Sequence, residues 1–130
     1  MPSVLFVCVA NSFRSQMAEA FATMLGKGQW EVWSAGSNPS GIVHPLAMQL
    51  MAERGCELRA QYSKGLEDVP AHRWDYVVTM GCGDRCPAVP AAQHLEWQIP
   101  DPAGRSPQEV RRIRDRIESL VRDLLNGHSI

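Results

Sequence analysis

Residues 4–15, read Val4-Leu5-Phe6-Val7-Cys8-Val9-Ala10-Asn11-Ser12-Phe13-Arg14-Ser15, decide the fold. The first four are apolar strand formers in an unbroken run, which suits a strand buried on both faces. Gln16-Met17-Ala18-Glu19-Ala20-Phe21 behind them is a good helix-forming segment. A strand that feeds a loop opening a helix points backbone N–H groups and the positive helix end at one spot, a ready-made oxyanion site. Val9, Ala10, Asn11, Ser12, Phe13, Arg14 and Ser15 would line it. Cys8 stands at its entrance and is expected to attack as thiolate. Arg14 adds a planar fork for two oxygens of a tetrahedral anion, and Ser15 is placed to donate a hydroxyl hydrogen bond to the sulfur. A buried cysteine ending a core strand, with an unrelated arginine on a helix face, is the plainer reading. The C-x5-R-S spacing between strand and helix favours the anion loop.

The rest of the composition narrows the function classes. At 130 residues the chain reads as one domain, residues 1–130, with a single sizeable core. A formal charge of −1 gives no reason to propose nucleic acid or an anionic membrane as partner. No apolar run approaches a membrane span, and Met1-Pro2-Ser3 lacks the basic start of a signal peptide. With no export signal, the four cysteines read as reactive thiols in a reducing cytoplasm rather than a disulfide framework.

Along the chain, a first helix is expected from Ser15 to Leu25, stopped by Gly26, with Met17, Phe21, Met24 and Leu25 on its core face. Glu31 to Ser34 alternates as a second strand closed by Ala35-Gly36. His44-Pro45 opens a second helix, with His44 as a helix-start residue rather than a base, and Cys56 after its end reads as packing. A short helical turn is expected at Gly65 to Asp68, a third strand at Trp74 to Met80 and a fourth at Leu95 to Ile99. Ser106-Pro107-Gln108-Glu109 is a capping box that starts an amphipathic last helix, whose arginine-lined far side is expected to be solvated. Strands alternating with helices argue an α/β domain: a central four-stranded parallel sheet with helices on both faces.

Cys82 and Cys86 follow the third strand, four residues apart. The carboxyl ends of parallel strands share one edge, so this loop is expected near Cys8. On a helix the two Cβ atoms would be roughly 5–6 Å apart, against the 3.5–4.5 Å or so of a disulfide. Gly81 and Gly83 make the needed backbone movement cheap. A zinc half-site has no second Cys/His pair at ligand spacing. Two inert thiols or a structural disulfide would fit the same spacing; a nearby Cys8 favours a redox role. Asp101-Pro102 is a turn signal.

Taken together, C-x5-R-S-Q-M-A-E at Cys8 to Glu19, W-S-A-G at Trp33 to Gly36, V-V-T-M-G-C at Val77 to Cys82 and D-P-A-G at Asp101 to Gly104 resemble the thioredoxin-coupled arsenate reductases. These share the low-molecular-weight tyrosine phosphatase fold. In the phosphatase branch a proline follows the loop's Arg-Ser and an aromatic residue follows Asp-Pro, where this chain has Gln16 and Ala103. The resemblance implies arsenate as substrate, with phosphate or sulfate competing, Cys8 as nucleophile, Arg14 as clamp and Asp101 as general acid. Cys82 and Cys86 then complete a three-cysteine relay, re-reduced by thioredoxin or by a mycothiol- or glutaredoxin-type reductant, with no cofactor. A low-molecular-weight tyrosine phosphatase and a non-catalytic oxyanion sensor stay open as competing readings. Members that bind potassium beside the loop carry an acid after a serine matching Ser63. Here Lys64 holds that place, and the resemblance puts its ammonium near Asn11, Glu19 and Ser34, so no metal is expected.

Overall fold

The computed structural model describes residues 1–81 and 89–128. Four strands, β1 (Ser3–Cys8), β2 (Glu31–Gly36), β3 (Trp74–Met80) and β4 (Ala91–Trp97), form one sheet in the order β2-β1-β3-β4. All pairings are parallel. The apolar run of β1 is central and buried along its length, as an unalternating strand should be. The order reverses direction on the two sides of β1, which makes the carboxyl end of β1 a topological switch point. The loop after Cys8 opens there.

Helices α1 (Arg14–Gly26), α2 (Pro45–Ala52) and α3 (Pro107–His128) pack on the face that carries Val4, Phe6 and Cys8. The opposite face, with Leu5, Val7, Trp74 and Val77, is covered by Leu66 and Val69 in and beside a 3₁₀ turn at Leu66–Asp68. Helical cover is thus present on both faces but unequal among the described residues. Met17 and Phe21 of α1 meet Val110, Ile113, Ile117 and Val121 of α3 in one core, while Met24 is largely exposed.

Two elements depart from the sequence pattern. The fourth strand covers Ala91–Trp97, earlier than Leu95 to Ile99. Leu95, Trp97 and Ile99 do alternate inward, but the ladder stops before Ile99 because its carbonyl turns away to accept Arg14 Nη1 at 3.0 Å. The arginine face of α3 is not wholly solvated either. Arg114 is buried and donates to the Leu50 carbonyl at 2.9 Å, to Glu53 Oε1 at 2.7 Å and to Asp115 Oδ1 at 2.8 Å. It satisfies a carbonyl at the end of α2 that has no partner within the helix, where a cation is also favoured by the helix dipole. Arg111 grips the same Glu53 through Nε and Nη2 at 3.0 and 2.9 Å. The capping box forms at the expected residues: the Glu109 N–H donates to Ser106 Oγ at 3.2 Å and Glu109 Oε1 accepts from the Ser106 hydroxyl at 3.2 Å.

Hydrogen bonds from Arg111 and Arg114 hold the Glu53 carboxyl at about 2, below its usual 4.5. A depressed carboxyl stabilises the fold above its unfolded value and loses that contribution as pH falls through the folded one. Glu53→Gln should therefore lower the thermal midpoint at neutral pH, and the gap to the parent protein should close between about pH 4.5 and 2. Circular-dichroism melts across that range would show it; a pH-independent gap would remove Glu53 from the acid response.

Candidate active site

Cys8 ends β1 almost fully buried, 3% exposed. The loop beyond it is held open by its carbonyls, which are tied outward. Those of Cys8, Val9, Ala10 and Ser12 accept from the N–H groups of Ser37, Asn38, Ser40 and His44 at 2.8–3.2 Å. With its carbonyls turned away, the loop keeps its N–H groups for the hollow in the middle, a nest for an anion. The start of α1 adds to it: Phe13 at the N-cap makes no side-chain cap, and no acid stands in the first turn. Gly36 lets β2 come close, since a Cβ there would lie 2.5 Å from the Val9 carbonyl oxygen.

A cleft of about 230 Å³ is lined by Cys8, Val9, Ala10, Ser12, Phe13, Arg14, His44, Asp101 and Ala103. Seven of the expected site residues thus meet in one space. Arg14 Nη1 is held by the Ile99 carbonyl, and among the described residues nothing takes its Nε–Nη2 edge, the edge that can grip two oxygens side by side. Asp101 is exposed and its Oδ1 accepts the Ala103 N–H at 3.0 Å. Asp101 thus forms the expected turn and lines the cleft. His44 behaves as a helix-start residue, its Nδ1 accepting the Leu46 N–H at 3.1 Å, yet its ring also lies 4.6 Å from that of Phe13 at the cleft.

Ser15 and Asn11 lie beneath the cleft. Ser15 Oγ is 2.8 Å from Cys8 Sγ. Asn11 Nδ2 donates to Ser15 Oγ at 2.8 Å and to Ser34 Oγ at 3.0 Å. With its oxygen already accepting from Asn11, the Ser15 hydroxyl has its proton free for the sulfur. Asn11 contributes its backbone to the loop, while its side chain is a support. Lys64, 3% exposed, places its ammonium 3.1 Å from Glu19 Oε1 and 3.4 Å from Ser34 Oγ. The spot beside the loop is filled by a resident cation, so these oxygens do not fit a potassium ion as well. Among the described residues no cluster of three or more His, Cys, Asp or Glu could hold another metal. Cys82 and Cys86 lie outside the described residues.

Sequence reasoning missed two supports. Gln16, fully buried, donates to Asn11 Oδ1 at 2.9 Å and to the Tyr62 carbonyl at 2.9 Å, and accepts from Gln61 at 2.7 Å. A glutamine on the inward face of a helix was the available signal. Gly81, with φ of 81°, stands where a Cβ would overlap Arg14 Nη1. A larger hollow of about 430 Å³, lined by Leu5, Leu66, Val69, Trp74 and Pro90 among others, opens on the second face and is not lined by Cys8, Arg14 or Asp101.

The family described as low molecular weight phosphotyrosine protein phosphatase matches residues 3–129. The glutaredoxin arsenate reductase of Synechocystis sp. is 39% identical over 128 residues, 96% of this chain and 97% of that protein. The chain belongs to this family, on its arsenate reductase branch. A solved arsenate reductase in the phosphate binding state superposes with a TM-score of 0.87 at 37% identity, covering 98% of each chain. The thioredoxin-dependent arsenate reductase of Corynebacterium glutamicum superposes with a TM-score of 0.80 at 35% identity, over 98% of this chain and 61% of that one.

Gly81→Ala should displace Arg14 from the Ile99 carbonyl. The left-handed backbone alone costs about 1–2 kcal/mol with a side chain present, and phosphate binding should weaken as well. Calorimetric titration with phosphate checks this; unchanged affinity in a folded variant would show that Gly81 does not set the clamp.

Proposed function

We propose that this chain reduces arsenate to arsenite in the cytoplasm, with Cys8 as nucleophile and a protein or small-molecule thiol as final reductant. The observation that carries this is the cleft in which Cys8, Arg14 and Asp101 meet over a loop of N–H groups, in a chain whose relatives are arsenate reductases.

Arsenate binds with its oxygens on the loop amides and on Arg14 Nε and Nη2. The Cys8 thiolate attacks arsenic, and a hydroxyl of the hydrogen arsenate leaves as water after taking a proton from Asp101. Cys82 thiolate then attacks Cys8 Sγ. The Cys8–Cys82 disulfide forms, the sulfur–arsenic bond breaks, and its electron pair goes to arsenic, which departs as arsenite. Cys86 attacks Cys82, releasing Cys8 and leaving a Cys82–Cys86 disulfide. A dithiol such as thioredoxin or glutaredoxin, or a mycothiol-type thiol, reduces it by the same exchange chemistry.

The placement of β3 supports the second half. Val7 of β1 pairs with Thr79 of β3, and Gly81, the residue before Cys82 in sequence, abuts Arg14 of the anion loop. Arsenate, phosphate and sulfate are all tetrahedral anions that a nest of N–H groups would take, so the last two should compete. The same Cys8, Arg14 and Asp101 would serve phosphate-ester hydrolysis. What separates the activities is the second thiol, because phosphorus on Cys8 accepts no electrons from it.

Cys8→Ser should abolish both activities. Cys82→Ser should leave aryl-phosphate hydrolysis intact and stop multiple-turnover arsenate reduction. Cys86→Ser should release one equivalent of arsenite and stall as a Cys8–Cys82 disulfide, identified by peptide mapping after alkylation without reductant. Normal cycling of Cys86→Ser with a thioredoxin-type protein would overturn the three-thiol relay. Asp101→Asn should slow the first step by about 10²–10⁴; an unchanged rate at every pH would leave Asp101 with its turn alone.

A further inference from the structure

Among the described residues, the most heavily buried charge outside the cleft is Lys64. All three of its ammonium hydrogens have acceptors: Glu19 Oε1 at 3.1 Å, the Tyr62 carbonyl at 3.2 Å and Ser34 Oγ at 3.4 Å. Its ammonium also stands 4.9 Å from the centre of the Tyr62 ring. A buried lysine is costly unless paired and fully hydrogen-bonded, and here both conditions are met within reach of the nucleophile's supports. Lys64 also reaches those supports through its backbone, its N–H donating to Asn11 Oδ1 at 2.9 Å.

The direction of each hydrogen bond follows from the ammonium. An ammonium has donors only, so Ser34 Oγ must accept from Lys64. Ser34 sends its own proton to Glu19 Oε1. It can then meet Asn11 only as acceptor, which turns the Asn11 amide NH₂ toward Ser34 and Ser15. The Lys64 N–H on Asn11 Oδ1 fixes the same orientation from the other end. Ser15, accepting from Asn11, is left to donate to Cys8 Sγ.

We propose that Lys64 is a positioning residue for Cys8: its ammonium and backbone N–H set the polarity of the Ser34–Asn11–Ser15 chain so that a hydroxyl proton points at the sulfur. It does this as a built-in cation, with no bound metal. The proposal rests on the reading of Cys8 as a thiolate nucleophile, and its test uses no arsenate.

The test is the rate of Cys8 alkylation by iodoacetamide in the fully reduced full-length protein at a fixed neutral pH, read by mass spectrometry of the peptide that carries Cys8. Lys64→Met, Ser15→Ala and the double variant complete a cycle. Lys64→Met should slow alkylation about tenfold, the scale of losing one hydrogen bond to a charged acceptor. In the Ser15→Ala background the same change should slow it less than about twofold, because the hydroxyl through which Lys64 acts is gone. Equal slowing in both backgrounds, or no slowing in a folded Lys64→Met protein, overturns the proposal. If Lys64→Met does not fold, Ser34→Ala takes its place, since it cuts the chain between the ammonium and Asn11 without unpairing Glu19 from Lys64. The same non-additivity is expected, and additivity overturns the proposal. A parent protein that shows the expected alkylation pattern but turns over no arsenate in a separate assay would count against the reductase assignment and leave the positioning role standing.

Discussion

Asn11 sits inside the anion loop with φ of 47°, fully buried, and its amide is used on every side. The NH₂ group holds Ser15 and Ser34, and the oxygen accepts from Gln16 and from the Lys64 backbone. A non-glycine residue in the left-handed region is strained, and it persists only where its surroundings over-determine it. Here the four bonds do so, from α1, β2 and the segment before the 3₁₀ turn. The shape of the loop follows: carbonyls outward, N–H groups inward, with Cys8 at one rim and Arg14 at the other.

The parts of this arrangement that are local in sequence were legible. Strand, loop and helix around Cys8, Arg14 and Ser15 all fall within twelve residues, and hydrophobic runs and helix propensity report such short-range order well. The capping box at Ser106 and the helix-start role of His44 are local in the same sense. What the residues by themselves did not disclose depends on partners far along the chain. Gln16 meets Tyr62 and Gln61 across 46 and 45 residues, and Arg114 meets Leu50 and Glu53 across 64 and 61. No spacing rule announces those pairs, so an arginine on a helix face reads as solvated until the neighbouring helix is placed. Lys64 was a middle case: family resemblance put it near Glu19 and Ser34, but the direction of its hydrogen bonds needed the geometry.

A lysine in place of a bound ion changes how the loop is maintained. An ion comes and goes with its concentration in solution, and its contribution to the folded state varies with that concentration. An ammonium on the chain is always present, but it brings a desolvation cost that Glu19 must offset. Removing one partner of such a pair costs about 3–5 kcal/mol, far more than the net worth of the pair. The supports of the loop thereby depend on the integrity of one ion pair.

Thiol exchange needs a thiolate within reach of its target sulfur, and the fourth cysteine stands apart from the cleft that Cys8 lines. Cys56 is 5% exposed, and burial, helped by the nearby Glu118 carboxylate, pushes its thiol up from the ordinary value. Its sulfur packs 3.6 Å from the sulfur of Met24. It lies beyond the end of α2, in the core on the helical face, whereas the reactive edge is formed by the carboxyl ends of β1 and β3. A relay among several cysteines in one small domain requires the remaining thiol to stay out of the exchange, since a stray disulfide would trap it. In this chain burial lowers the thiolate fraction of Cys56 and its place beyond α2 sets it apart from the Cys8 cleft, so the same core that supports the sheet keeps this thiol out of the exchange proposed for the others.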